Sequence, residues 1–450
     1  MTTIYCAHWV IPIVHPAIEN GAVAVEGPKI VAVGERAAVA AQYPTAEVRD
    51  FDDSAILPGL INTHSHLELT AMRGYLENEA GEFSAWLRKL TVARLERMKP
   101  DDLYVSAAWG AVEAARAGVT TLGDASDSAS TSMEALKAVG LRAVVYQEAF
   151  GPNPAEAGEK FQQLSEKLLE LRSLETELVR VGVSPHAPYT VSAPLLELIA
   201  ELAQKKNLSL MMHAAESEAE SSFMSDGVGP FATGLAHRGI EWRSPGISTI
   251  QYLSRHGILK TRPLLAHCIT VDDKDIETIK DAGAGVAHCP KSNAKFRHGR
   301  APFAAFLHRG INVGLGSDSV ASNNTCDILE EARFATLQAR AGANQTEPMV
   351  TAEAALRTAT SGGAAALGLS GIGALLEGGA ADIAVVGLSG AHQLPSYDPV
   401  TTLLFSSSGR DVLMTMVAGR EVYREGRVIT VDENRLRERM KEIRQRVADV

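Results

Sequence analysis

The sequence predicts an α/β protein: a (β/α)8, TIM-like barrel over residues 57–370 and a small discontinuous β-sandwich domain built from residues 1–56 and 371–450, with a C-terminal helix. Three observations carry that expectation. Eight short apolar runs alternate with amphipathic helical stretches through the middle of the chain, and eight strands is a number that closes a barrel. Both ends are rich in short β-branched runs punctuated by Gly and Pro. Most of the eight runs end in a polar, chemically capable residue, which is how an α/β barrel carries its reactive groups.

The N-terminal part reads as short antiparallel strands in AVAVEGPKIVAVG and AEVRDFDDSAILPG. The far end matches it with ADIAVVGL at 381–388 and DVLMTMVAGREVYREGRVI at 411–429, followed by a charged helix over 433–447. Barrel strands are expected at 56–63, 119–123, 142–148, 179–184, 208–213, 263–267, 284–288 and 311–316. Between them, DDLYVSAAWGAVEAARAG, EKFQQLSEKLLELRSL and APLLELIAELAQKK have helical periodicity. A doubly wound open sheet is the rival, but no Gly-rich turn follows the first strand. The stretch from Ser217 to about Arg262 is long for a barrel connection and reads as a substrate-enclosing segment or one with a short helix of its own.

The 450 residues are 46% hydrophobic and 22% charged with mean hydropathy near zero, so disordered and fibrous classes are excluded. The net charge of −11 and the lack of a basic stripe argue against a nucleic-acid partner. No apolar run of about 18 residues predicts a membrane span. The start lacks the pattern of a secretory signal, and four scattered cysteines without a CxxC pair fit reduced thiols, so a cytoplasmic location is expected.

The strand ends concentrate the histidines. The first run ends in His64-Ser65-His66, whose i, i+2 spacing puts both rings on one face of an extended chain. Others end in His186, in His213 with Glu216 three residues on, in His267, in His288, and in Ser317-Asp318-Ser319. Neutral imidazoles and a carboxylate converging on one point suit Zn²⁺ with a position left for water, and Fe²⁺ or Mn²⁺ accept the same donors. His8, His15, His237, His256, His298, His308 and His392 are read as ordinary structural or surface histidines. Trp86 reads either as a lid over the substrate or as core, and Glu68 either as a partner of a substrate hydroxyl or as a loop carboxylate. His288 reads either as a substrate-side group or as a structural histidine. Ser292 and Asn293 are expected to fix the loop after the seventh strand. Ser319, Ser322 and Asn323 are expected to orient the Asp318 carboxylate or fix its loop.

PGLINTHSHLELTAMRG, GVTTLGD, SPHAPYT, HAAES, VAHCPKSNAKF and GLGSDSVASNN, in that order, resemble the amidohydrolase superfamily. The branch is that of the chlorohydrolase-like aminohydrolases, which includes S-adenosylhomocysteine, methylthioadenosine, guanine and aminodeoxyfutalosine deaminases. The resemblance implies that His64, His66, His213 and Asp318 ligate one divalent metal ion, Zn most readily. A single ion is expected because the fourth strand lacks the lysine that binuclear members carboxylate. It further implies Glu216 as general acid/base, His267 as the group orienting water or the departing amine, Asp318 as a second proton acceptor, and His186 at the substrate. Substrate contacts are expected from Glu68, Trp86, Arg94, His288 and Ser319.

The implied reaction is hydrolytic release of ammonia from the adenine-type ring of a purine nucleoside derivative: aminodeoxyfutalosine, S-adenosylhomocysteine, methylthioadenosine or adenosine. The alternative within the superfamily is another C–N or C–halogen bond, as in chlorohydrolases, guanine or cytosine deaminases and cyclic-amide hydrolases. A non-catalytic binding protein on the same barrel is disfavoured, because every expected ligand is present. Adenosine-type members carry a Pro-x-Glu after the Trp-Leu of the first long loop. Here the proline is missing and Glu96 is one place out of register. HSHLEL followed by FSAWL and an arginine looks more like the aminodeoxyfutalosine deaminases, with Arg73, Arg88 or Arg94 available to a substrate carboxylate. The partner is then a small molecule, and the family suggests a homo-oligomer.

Overall fold

The computed structural model describes residues 1–79, 81–343 and 349–448. Eight parallel strands lie side by side in chain order: Leu60–Ser65, Val119–Ser126, Arg142–Ala149, Val179–Pro185, Met211–Ala214, Leu264–His267, Gly285–His288 and Val313–Leu315. The eighth returns to the first through Leu315 and Asn62, and the fourth meets the fifth through the Val183–Leu210 bridge, which closes the barrel. Each strand overlaps one of the eight apolar runs anticipated from the sequence.

One run divides in a way that periodicity does not show. Ser54–Pro58 leaves the barrel and pairs antiparallel with Ile383–Gly387, and Leu60–Ser65 begins the barrel one residue later. Gly59 makes the crossing possible. A Cβ there would lie 2.1 Å from the Thr120 side chain, so the chain can pass this close to the second strand only without one.

The second sheet joins the two ends of the chain. Five strands from residues 2–58 and four from residues 383–428 form a nine-stranded mixed sheet, and the Ser54–Pro58 and Ile383–Gly387 pair is the seam between them. Alternation along its strands sends Tyr5, Val23, Val25, Ile56, Val385 and Met414 to one buried cluster, and Ile4, Cys6, Ala22 and Ala24 to another.

The C-terminal helix Glu433–Ala448 follows the small domain's last strand in the chain and packs on the barrel's side. Leu436, Met440, Ile443 and Val447 make an i, i+4, i+7, i+11 stripe that enters a cluster with Met72, Leu76, Trp86 and Leu90. Arg446 and Arg439 then reach Asp102 and Asp101 at the start of helix Pro100–Arg116. The long connection after the fifth strand carries helices Glu218–Ser225, Pro230–His237 and Thr249–Arg255. Two ring stacks fasten it: Phe223 on Trp242 at 4.2 Å, and Phe231 on Tyr189 at 3.8 Å.

Candidate active site and metal centre

The first, fifth and eighth strands bring four polar side chains together at the barrel's C-terminal rim. The backbone N–H of Asp318 donates to the His64 carbonyl at 2.9 Å, which sets the two strand ends in register. Asp318 Oδ1 then lies 3.4 Å from His64 Nε2 and 3.6 Å from His66 Nε2. His66 Nε2 in turn faces His213 Nε2 at 3.3 Å. The other Asp318 oxygen accepts from the hydroxyls of Ser292 and Ser322, so those two residues aim the carboxylate and leave Oδ1 toward the imidazoles.

These donors fit a metal ion on their own chemistry. Both ring nitrogens of His64 are buried and have no hydrogen-bond partner among the described residues, a cost that a ligated cation would remove. His213 Nδ1 donates to the His186 carbonyl at 2.9 Å, which leaves Nε2 with a lone pair directed at the cluster. Burial, with the neighbouring imidazoles adding, lowers His213 and His66 to about 4. Burial also takes His64 to about 4, against the pull of Asp318. All three rings are thus neutral, the form that ligates. Asp318 is held well below the usual carboxylate range: burial opposes ionisation, but the His64 contact and the surrounding imidazoles outweigh it. Two further sets place their ligand atoms within 4.8 Å of one another: His64, His267 and Asp318, and Glu148, His186 and His213. The last draws on the same free His213 Nε2 as His64, His66 and His213 do, so those two sets compete for that ligand.

Glu216 is presented by a turn of its own making. Ala215 sits at φ +53°, and the Glu220 carboxylate accepts from the N–H of Ala215 at 2.8 Å, the N–H of Glu216 at 2.9 Å and the Thr249 hydroxyl at 2.8 Å. Ser217 caps the helix that carries Glu220. Glu216 Oε1 stands 3.8 Å from His267 Nε2 and 3.6 Å from His298 Nδ1. Burial opposes its charge, yet His267 and His298 bring it down to about 2. For His267 burial works downward and the Glu216 and Asp318 carboxylates outweigh it, so that imidazole is raised. Its Nδ1 is taken by Asn293 Oδ1 at 2.8 Å, which directs Nε2 toward Glu216.

A cavity of about 450 Å³ opens onto this constellation. Its floor includes His66, His213, Glu216, His267, Asp318 and Ser319, and its walls are Phe83, Trp86, Leu90, Phe150, Tyr189 and Phe296. Trp86 therefore serves both readings, since it is 6% exposed, packs edge-on against Phe296 and still lines the cavity. His186 lines it too, with Nδ1 held by the Thr190 hydroxyl at 2.9 Å.

At the side of the cavity, Glu68 is buried rather than a surface carboxylate. It accepts from the Ser126 hydroxyl at 2.9 Å and from the N–H groups of Asp127 and Ser128. Arg94 reaches Glu68 at 3.3 Å and Asp127 at 3.1 Å. Arg94 thus lines the cavity already neutralised by two carboxylates. Arg73 pairs with Glu113 and the Asn324 carbonyl, and Arg88 is exposed; neither lines the cavity. His288 does not line it either. Its ring stacks on Phe303 at 5.1 Å, because the last residue of the seventh strand turns toward the helix behind it.

Three groups escaped the sequence reading. His298, set among ordinary histidines, lies against Glu216. Glu148, next to last in the third strand, lines the cavity with Oε1 lacking a hydrogen-bond partner among the described residues and its carboxyl raised by burial; the strand-end rule applied to glutamate finds it. Asp124, in the GVTTLGD segment, accepts from Leu67 N–H and the Ser65 hydroxyl, both at 2.8 Å, and so pins the turn after His66.

The chain is similar to known proteins along nearly its whole length. The model described as "Amidohydrolase family" matches residues 55–422. The chain belongs to the amidohydrolase family. This amidohydrolase is 33% identical to a 5-methylthioadenosine/S-adenosylhomocysteine deaminase of Syntrophobacter fumaroxidans over 94% of its length and 93% of that protein's. It is 32% identical to a 5'-deoxyadenosine deaminase of Methanopyrus kandleri, over 87% and 86% of the two chains. Among solved structures, an adenosine deaminase of Xanthomonas campestris with bound zinc superposes with a TM-score of 0.83 at 26% identity, covering 100% of this chain and 99% of that one. The amidohydrolase described here is an enzyme of the deaminase type, a hydrolase of carbon–nitrogen bonds other than peptide bonds.

Proposed function

We propose that this amidohydrolase binds one divalent ion, zinc, through His64, His66, His213 and Asp318 and hydrolytically deaminates the adenine-type ring of a purine nucleoside derivative. The observation that supports this reading best is the meeting of the four ligand groups with a buried, ionised Glu216 at the floor of an aromatic-walled cavity. The fourth strand, Val179–Pro185, carries no lysine to bridge a pair of ions, which supports one ion over two.

When bound, the ion supplies the Lewis acidity that makes water a nucleophile near neutral pH. Glu216, ionised in the resting site, takes the water's proton and delivers it to the ring nitrogen beside the carbon that carries the amino group. The hydroxyl adds to that carbon. Asp318, steered by Ser292 and Ser322, takes the hydroxyl proton and passes it to the amino group, which leaves as ammonia as the carbonyl forms in its place. His267, fixed by Asn293, orients the water and the departing group. The unlike surroundings of the two carboxylates let them act in sequence: Asp318 sits among the ligands and Glu216 beside His267 and His298.

Trp86, Phe83 and Phe296 provide faces for a purine ring, His186 reaches the bound ring, and the Glu68–Arg94–Asp127 group accepts and donates hydrogen bonds at the sugar end. The substrates named for the relatives, methylthioadenosine, S-adenosylhomocysteine and 5'-deoxyadenosine, are candidates here, together with adenosine and aminodeoxyfutalosine. The same reading carries a cytoplasmic homo-oligomer that needs neither nucleic acid nor membrane.

The test is metal content per chain together with ammonia release from each of these nucleosides, with Glu216→Gln in parallel. About one ion per chain, turnover of one nucleoside and none by the variant are expected. Metal-loaded protein that releases ammonia from no purine nucleoside overturns the assignment.

A further inference from the structure

His298 has an environment that packing alone does not explain. Its side chain is 8% exposed, and its ring is stacked on Phe296 at 5.2 Å and met edge-on by Phe83 at 5.0 Å. Yet Nδ1 is turned away from solvent with no hydrogen-bond partner among the described residues, and it faces Glu216 Oε1, 3.6 Å away. The backbone bends to achieve this: Arg297 sits at φ +57° and Gly299 at φ +114°, so His298 is held between two left-handed residues.

The loop that carries it is tied to the other side of Glu216. The Asn293 carbonyl accepts from His298 N–H at 3.0 Å, and Asn293 Oδ1 accepts from His267 Nδ1 at 2.8 Å. One asparagine therefore sets two imidazoles on the same oxygen of one carboxylate.

We propose that His298 is a positioning residue for the acid/base carboxylate: its Nδ1–H holds Glu216 Oε1 so that Oε2 is the oxygen that carries the proton between water and the ring. This rests on the role of Glu216 given above. A carboxylate free to rotate would present either oxygen and spend part of each turnover misaligned. Clamped through one oxygen by His267 and His298, it meets the proton donor and the ring nitrogen in a fixed geometry.

Two variants separate positioning from packing. His298→Leu keeps an apolar side chain of similar bulk without the donor, and His298→Asn keeps an N–H near the Nδ1 position. With whichever nucleoside the wild type turns over, His298→Leu is expected to lower kcat by about tenfold to a hundredfold, the scale for partners that orient an active group. KM and metal per chain stay near wild type, and His298→Asn recovers most of kcat. Wild-type kcat in His298→Leu overturns the proposal, as does an equal loss in both variants or a change confined to KM. Failure of the wild type to release ammonia, by contrast, strikes the deaminase reading itself.

Discussion

His213 Nδ1 lies 2.9 Å from the carbonyl oxygen of His186, so the end of the fourth strand dictates which nitrogen the fifth strand offers to a metal ion. His213→Ala removes that nitrogen from the centre of the cluster. Metal per chain is expected to fall well below the wild-type value and activity by at least about a hundredfold, with the helical content intact. Elemental analysis after gel filtration, with circular dichroism, checks this, and full metal occupancy in the variant refutes the ligand assignment.

Arg94 is predicted to act on binding rather than on the chemical step. It touches Glu68 and Asp127 and lies beside the cavity rather than at Glu216. Arg94→Ala leaves two neighbouring carboxylates uncompensated at the sugar end. KM should rise by about tenfold while kcat stays within a few-fold, the pattern of an interaction equally present in ground and transition states. Steady-state kinetics decides it: a kcat loss at unchanged KM contradicts this placement.

Glu220 is expected to matter as much as a residue that touches substrate. Its carboxylate serves the N–H groups of Ala215 and Glu216 and the Thr249 hydroxyl, all buried. Glu220→Ala strands those donors at a cost of about 1–3 kcal/mol for each group left unpaired. It also frees the turn at Ala215 that presents Glu216. Urea unfolding should show the lost stability and ammonia release a lower kcat. A variant stable and active as wild type would show that the turn does not depend on these bonds.

Burial raises Glu331 from 4.5 to about 7, although Lys291 pulls the other way. A carboxyl raised in the folded state favours folding while it is protonated, and that contribution is lost as pH rises from about 4.5 through about 7. Glu331→Gln should therefore gain stability relative to wild type between pH 5 and pH 8. Melting temperatures of both proteins at the two pH values test this, and a difference that is constant with pH rules it out.

The sequence by itself determined the barrel, the join of both chain ends into a second sheet, and the strand ends at which His64, His66, His213 and Asp318 meet. Apolar runs with helical stretches between them specify strands and helices through local periodicity, and the i, i+2 placement of His64 and His66 is a property of any extended chain. Because reactive groups of a barrel gather where strands end, reading those ends located His213, His267 and Asp318 without any coordinates. Tertiary structure decided what depends on long-range contact or on backbone angles that no periodicity encodes. Gly59 divides one apolar run between two sheets because Thr120 stands against it. The C-terminal helix found its groove on the barrel, where Met72 and Trp86 receive its stripe. Arg94 is neutralised by Glu68 and Asp127, carboxylates brought from other segments. His298 reaches Glu216 because the left-handed turns at Arg297 and Gly299 and the carbonyl of Asn293 aim an irregular loop at the carboxylate, a placement settled by the folded backbone rather than by the residue's own identity.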